Sequence, residues 1–302
     1  MRPPSRAGTT AWNASGSLRQ RVGVGSAIGL LVLVVSAAWQ GLGSSDPRIA
    51  QALLAGLAAA AATAVGTLPV LTRQPLSERT LDALLGFGAG VMLAATAFSL
   101  LVPALEAAAS LGHGRWGASG SVALAMLLGG ALLRLLDRLL PHEPFIKGPE
   151  GRAGPRLRRT WLFVFAIALH NVPEGIAIGV AFAGTDAVSA SALALGISVQ
   201  DVPEGLVVAV ALRSAGYGRL RAAGVGMATG LVEPIGAVLG AAVVSLSAML
   251  LPWGLAFAAG AMLYVVSHEI IPESHRKGHE HAATAGLLLG FVLMMVLDTA
   301  LG

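Results

Sequence analysis

An all-α, polytopic membrane helical bundle is the fold class this sequence predicts, and three observations predict it. Of 302 residues, 55% are hydrophobic and only 12% are charged. The apolar residues gather into runs of the length, about 20 residues, that crosses a bilayer. When those runs are threaded back and forth, eighteen of the twenty lysines and arginines fall on one side.

Nine runs qualify, near residues 22–41, 51–71, 83–105, 119–141, 160–184, 188–212, 222–247, 249–271 and 282–301. The first follows a polar lead, residues 1–21, and is expected to be an additional N-terminal helix. Arg19 and Arg21 before an apolar stretch also fit a signal peptide. Its removal would leave eight helices in the same orientation. The other eight form one domain, 51–302, interrupted by a basic loop at 142–159. With the N-terminus cytoplasmic, only Arg48 and Arg115 lie outside, the bias expected of inward-facing loops. The C-terminus is then periplasmic or extracellular. This asymmetry accounts for a pI near 10.3 without nucleic acid as a partner. The 39 glycines suit helices packed through small faces. No cysteine is present, so disulfides and thiolate metal sites are excluded.

The chemistry is concentrated in two near-copies of one hexapeptide. His170-Asn171-Val172-Pro173-Glu174-Gly175 and Gln200-Asp201-Val202-Pro203-Glu204-Gly205 stand thirty residues apart, each inside an apolar run. In each, polar side chains lie four and three residues before a glutamate. On a helix these share one face, with Cβ atoms about 5–6 Å apart. Pro173 and Pro203 lack a backbone donor and should loosen the carbonyls of Leu169 and Val199. The two runs are antiparallel neighbours, so their centres meet at one depth. Glu233, in Leu231-Val232-Glu233-Pro234, and Met92 are midway along their own runs.

Glu174, Asp201, Glu204 and Glu233 are therefore expected to cluster at the midplane, where each ionised carboxylate costs about 2.5–3.5 kcal/mol to insert. No lysine or arginine lies at that depth to balance them, so cations or protons must. Neutral carboxyls hydrogen-bonding helix to helix are one solution. Metal binding is the other, since His170 and Glu174 can chelate from one helix face and further carboxylates complete the shell. Imidazole and carboxylate suit zinc, iron, nickel or manganese, and a thioether from Met92 would favour softer ions.

Two Pro-Glu-Gly motifs on consecutive helices, followed by Glu-Pro on the next, resemble the ZIP family of divalent-metal transporters, in a bacterial member. The resemblance covers about 51–302 and implies eight ZIP-type transmembrane helices, a cytoplasmic (inner) membrane location and a homodimer in the bilayer. It implies a substrate rather than a cofactor: a divalent ion imported into the cytoplasm, zinc first, with cadmium, iron or manganese as alternatives. It also implies a binuclear site. One ion would be held by His170, Glu174 and Glu204 with Met92, its neighbour by Asn171, Gln200, Asp201, Glu204 and Glu233. Many family members place histidine where Gln200 stands, so the second ion is expected to bind more weakly. By the same analogy the helices at 51–71, 160–184, 188–212 and 222–247 slide as an elevator against the other four.

A second polar set, His268, Glu269, Glu273, His275, His279, Glu280 and His281, is expected at the inner end of the penultimate helix. His268 and Glu269 resemble a ZIP pattern there and suggest an inner-end metal-receiving pair. Asp82 and Asp298 are expected at helix ends. An intramembrane metalloenzyme is the rival of another class, but His268-Glu269 is followed by Ile270-Ile271-Pro272 and lacks the second histidine of a His-Glu-x-x-His signature. The chain is therefore not read as an enzyme. A metal-selective channel and a non-transporting metal sensor use the same ligands and stay open at this point.

Overall fold

The computed structural model describes residues 46–72, 76–112, 114–139 and 159–301. The run at 22–41, the polar lead and the loop at 142–158 lie outside them. Eight helices within the described residues are long and apolar enough to cross a membrane. They are α1 (Pro47–Leu71), α2 (Glu78–Ser110), α3 (Arg115–Leu136), α4 (Val164–Gly184), α5 (Ala187–Ser214), α6 (Arg219–Ser245), α7 (Ala248–Ser274) and α8 (Glu280–Ala300). No strand occurs among the described residues. The helices start earlier than their apolar cores because polar caps hold their first turns. The Asp46 carboxylate accepts from the Arg48 amide, the Ser77 hydroxyl from the Thr80 amide, and Asp186 from the amides of Val188 and Ser189.

Proline shapes three of the spans differently from the two that carry the hexapeptides. Helix continues through Pro173 and Pro203. Elsewhere π-helical turns, Ala95–Leu101 in α2 and Val266–Ile270 in α7, end just before Val102-Pro103 and Ile271-Pro272. A proline ring collides with the carbonyl four residues back, and a wider turn moves that carbonyl aside. In α6 the chain breaks at Leu231, and a new helix begins at Val232 with Pro234 in its first turn, where a missing amide costs nothing.

The helices sort into two groups by how closely their backbones approach. α1, α4, α5 and α6 form one group, and α2, α3, α7 and α8 the other. Glycine makes the contacts in both. A Cβ at Gly179 of α4 would lie 2.0 Å from the Ala237 carbonyl oxygen of α6, and one at Gly66 of α1 would lie 2.0 Å from that of Val202 in α5. In the second group Gly90 of α2 abuts the Leu287 carbonyl of α8, and Gly260 of α7 that of Met126 in α3. Between the groups the pattern changes. Gly184 meets the side-chain tip of Leu251, Gly196 that of Met294, and Gly254 those of Val180 and Val244. Backbone touches backbone within a group, whereas side-chain ends fill the seam between groups.

Gly179→Ala should therefore lower stability by about 1–3 kcal/mol, since an added methyl meets immovable backbone. Gly196→Ala, whose methyl meets only the flexible end of Met294, should cost clearly less. Thermal unfolding of the two variants in detergent checks the difference, and equal losses would contradict the two-group packing.

Candidate metal centre

Each hexapeptide delivers its acidic side chain and then, one residue later, a glycine that lets a neighbouring helix come close. A Cβ at Gly175 would lie 2.3 Å from the Glu233 carbonyl oxygen of α6, and one at Gly205 would lie 2.1 Å from that of Thr63 in α1. The motifs on α4 and α5 thus pull in the helices that complete their polar surroundings. His170, Asn171, Glu174, Gln200, Asp201, Glu204 and Glu233 are all at most 6% exposed.

Hydrogen bonds cross from helix to helix. Gln200 Nε2 donates to Glu174 Oε1 at 2.5 Å, tying the second motif to the first. Asn171 Nδ2 donates to Glu233 Oε1 and to the Thr229 carbonyl, each at 3.1 Å. The hydroxyl of Thr63 donates to the same Glu233 oxygen at 3.1 Å. Glu233 lies in the first turn after the break at Leu231, so the partial positive end of the Val232–Ser245 helix faces its carboxylate. His170 Nε2 lies 3.1 Å from Glu269 Oε2 of α7.

At the centre, Glu174, Asp201 and Glu204 each offer an oxygen within 4.8 Å of the others, the metal-competent acidic or imidazole cluster found among the described residues. Glu174 Oε2, both oxygens of Asp201, Glu204 Oε1 and Glu233 Oε2 are buried without a hydrogen-bond donor. Two carboxylates about 4 Å apart repel by about 4 kcal/mol at an effective dielectric constant of 20. So dense a set of acceptors calls for a cation or protons. As a donor set it consists of carboxylate oxygens, an imidazole and two amide oxygens, which fits zinc, iron or manganese.

The remaining candidates are placed differently. Met92 is 3% exposed and belongs to the apolar core of α2. At Gly88, one turn before it, an added Cβ would lie 3.9 Å from the Gln200 Cβ. Glu269 and His268 have different neighbours. Glu269 reaches His170, while His268 stacks on Tyr264 with ring centroids 5.0 Å apart. Both residues lie in the wide turn Val266–Ile270, which rotates the residues that follow relative to an α-helical register. The rest of the second polar set disperses. His279 Nδ1 meets Asp82 Oδ2 at 2.8 Å, His275 meets Ser274 and Thr284, and Glu273 pairs with Arg276. Asp298 accepts from the Ser99 hydroxyl at 2.5 Å. Sequence reasoning missed Thr63 and Thr229. The signal for Thr63 was faint: one hydroxyl in the alanine-rich face of α1, three residues before Gly66.

Comparison with known proteins supplies the family. The family model described as ZIP zinc transporter matches residues 146–298. A protein named zinc transporter GufA, from Myxococcus xanthus, is 50% identical over 250 residues, covering 83% of this chain and 98% of the relative. One named zinc transporter ZIPB, from Bordetella bronchiseptica, is 47% identical over 296 residues, covering 97% and 96%. The human protein named zinc transporter ZIP11 is 37% identical over an alignment of 333 positions, covering 83% and 97%. With the helical bundle, the paired motifs and these relatives in agreement, the chain belongs to the ZIP family of zinc transporters.

Proposed function

We propose that this protein carries divalent metal ions, zinc first and cadmium, iron or manganese as further substrates, across the cytoplasmic membrane into the cell. The observation that carries the reading is the convergence of buried carboxylate oxygens from α4, α5 and α6 in a region with no lysine or arginine between Arg159 and Arg213. The relatives named zinc transporters support zinc as the leading substrate. The one-sided distribution of arginine supports an inward-facing Arg213 end of α5 and a cytoplasmic N-terminus.

In this reading the site takes two ions. His170, Glu174 and Glu204 hold the first, with Met92 reaching it by a change of rotamer and Glu269 competing for His170. Asn171, Gln200, Asp201, Glu204 and Glu233 hold the second, so Glu204 bridges the two. An ion that displaces Glu269 from His170 leaves that carboxylate, on the inner half of α7, free to accept the ion on its way to His268 and the cytoplasm. The division into two helix groups supports elevator-type movement, with α1, α4, α5 and α6 sliding past side-chain tips in the seam. The apolar outer faces of α3 and α8 suit a homodimer in the bilayer.

Zinc entry into proteoliposomes loaded with a fluorescent indicator tests the reading. Saturable entry is expected, reduced by more than roughly 100-fold in His170→Ala and Glu204→Ala, beyond the loss typical of outer-shell changes. Flux rising linearly with concentration would point to a pore instead, and tight binding without entry to a sensor.

Thr63→Val removes a hydrogen bond to Glu233 without touching an ion, and should weaken zinc binding by roughly 10–100-fold. Gln200→His should strengthen the second ion's binding. Calorimetric titration of the purified protein reads both, and unchanged affinity in both variants would remove the roles assigned to Glu233 and Gln200.

A further inference from the structure

The seam between the helix groups holds an apolar cavity of about 310 Å³. Leu128 of α3 and Trp253 and Phe257 of α7 form one wall, and Val180 of α4 with Leu239 and Val243 of α6 the other. A smaller cavity of about 30 Å³ continues it, sharing Ile176 and Phe257 and ending at Leu136, Leu169 and Pro173. Together they follow α7 from Leu250 to Ala261. That is about 16 Å at 1.5 Å per residue, the depth of one leaflet in a hydrocarbon core about 30 Å thick.

We propose that this seam binds one acyl chain of an outer-leaflet phospholipid, the leaflet following from the orientation given above. Its lining is almost wholly apolar, and a cavity of that kind does not hold water. It opens between Leu128, Leu239, Val243 and Trp253, which are 50, 58, 51 and 38% exposed on spans surrounded by hydrocarbon. Trp253, near the outer end of α7, marks the depth at which indole rings sit below the headgroups. Entering the seam gains a lipid chain no hydrophobic free energy, since the bilayer is equally apolar; it gains dispersion contacts on two sides in a groove of matching length. The walls belong to different helix groups, so an occupied seam favours the present arrangement over any in which the groups close it. The inner end of the groove lies behind Pro173, one residue from Glu174.

The test is native mass spectrometry of the full chain transferred into detergent from vesicles of phosphatidylethanolamine and phosphatidylglycerol. Wild type should retain one phospholipid per chain. Val243→Trp, which fills the seam from its rim, should lower that population at least tenfold. Leu127→Trp, a 71% exposed position of α3 outside the seam lining, should keep it. As a second readout, a variant with Trp253 as its single tryptophan is placed in vesicles containing phospholipid with brominated chains. Its quenching should saturate at a lower bromolipid fraction than that of a single tryptophan at position 127. Equal retention in the two variants, or identical quenching curves, would overturn the proposal. So would a lipid-free species of twice the chain mass that Val243→Trp dissociates, which would assign the seam to a second copy. Binding is read without metal or transport, so the result is independent of whether zinc is carried.

Discussion

Everything in this bundle depends on the unbalanced negative charge at its centre. Four carboxylates, on Glu174, Asp201, Glu204 and Glu233, are buried among membrane-spanning helices, and no lysine or arginine stands between Arg159 and Arg213 or between Arg221 and Arg276. At about 2.5–3.5 kcal/mol for each ionised group, the four together cost about as much as the whole stability of an ordinary domain, about 5–15 kcal/mol. A sequence does not keep such a cost four times over by accident of packing. Cations or protons must balance it, and a site whose stability depends on a bound cation releases that cation only when something else takes over the charge.

The two hexapeptides solve a geometric problem that follows from this. Oxygens from several helices can meet only if the backbones that carry them come close. In each motif the glutamate is followed by the glycine that permits the approach, Gly175 toward Glu233 and Gly205 toward Thr63. The break at Leu231 then turns the start of a helix toward the cluster, placing its partial positive charge at Glu233. Asn171, Gln200 and Thr63 orient the acids by donating to one oxygen of Glu174 or Glu233 and leaving the other directed inward. An arrangement that holds one oxygen and leaves its partner free is suited to an ion that must come and go.

The sequence made much of this legible, and where it failed it failed for physical reasons. Bilayer thickness sets the length of an apolar run, so the eight spans from Pro47 to Ala300 could be located to within a few residues, and polar caps such as Asp46 and Ser77 explain the differences. Antiparallel neighbours place their centres at one depth, which is why His170, Glu174, Asp201, Glu204 and Glu233 could be brought together before any coordinates. Glu269 could not. It approaches His170 from within a π-helical turn, whereas the sequence placed it with His268 at the inner end of its helix. Thr63 was lost because one hydroxyl in an alanine-rich helix carries no charge to be explained. The loop histidines looked like a cluster because they are close in sequence, yet His279 and His275 turn to different partners, His279 to Asp82 of α2 and His275 to Thr284.

The distribution of glycine bears on how the ion could move. If the eight helices formed one rigid unit, glycine would be expected to bring backbones together at any helix pair. Instead the glycine contacts that reach backbone closely stay within α1, α4, α5 and α6 or within α2, α3, α7 and α8. Across the seam the neighbours are Leu251, Met294, Val180 and Val244 side chains, and the gaps they leave are the apolar cavities beside Pro173 and Trp253. Side-chain tips change rotamer on a far shorter timescale than backbones repack, and a cavity lowers the number of contacts that a shift must break. The helices that supply the buried carboxylates, α4, α5 and α6, all belong to one group, so relative movement along the seam would carry the cluster intact. The His170–Glu269 pair joins the cluster to the other group. In the proposed metal site, an ion held by His170 would compete with Glu269 for the imidazole. Under the proposed function, loading the site would therefore also loosen its tie to the second group.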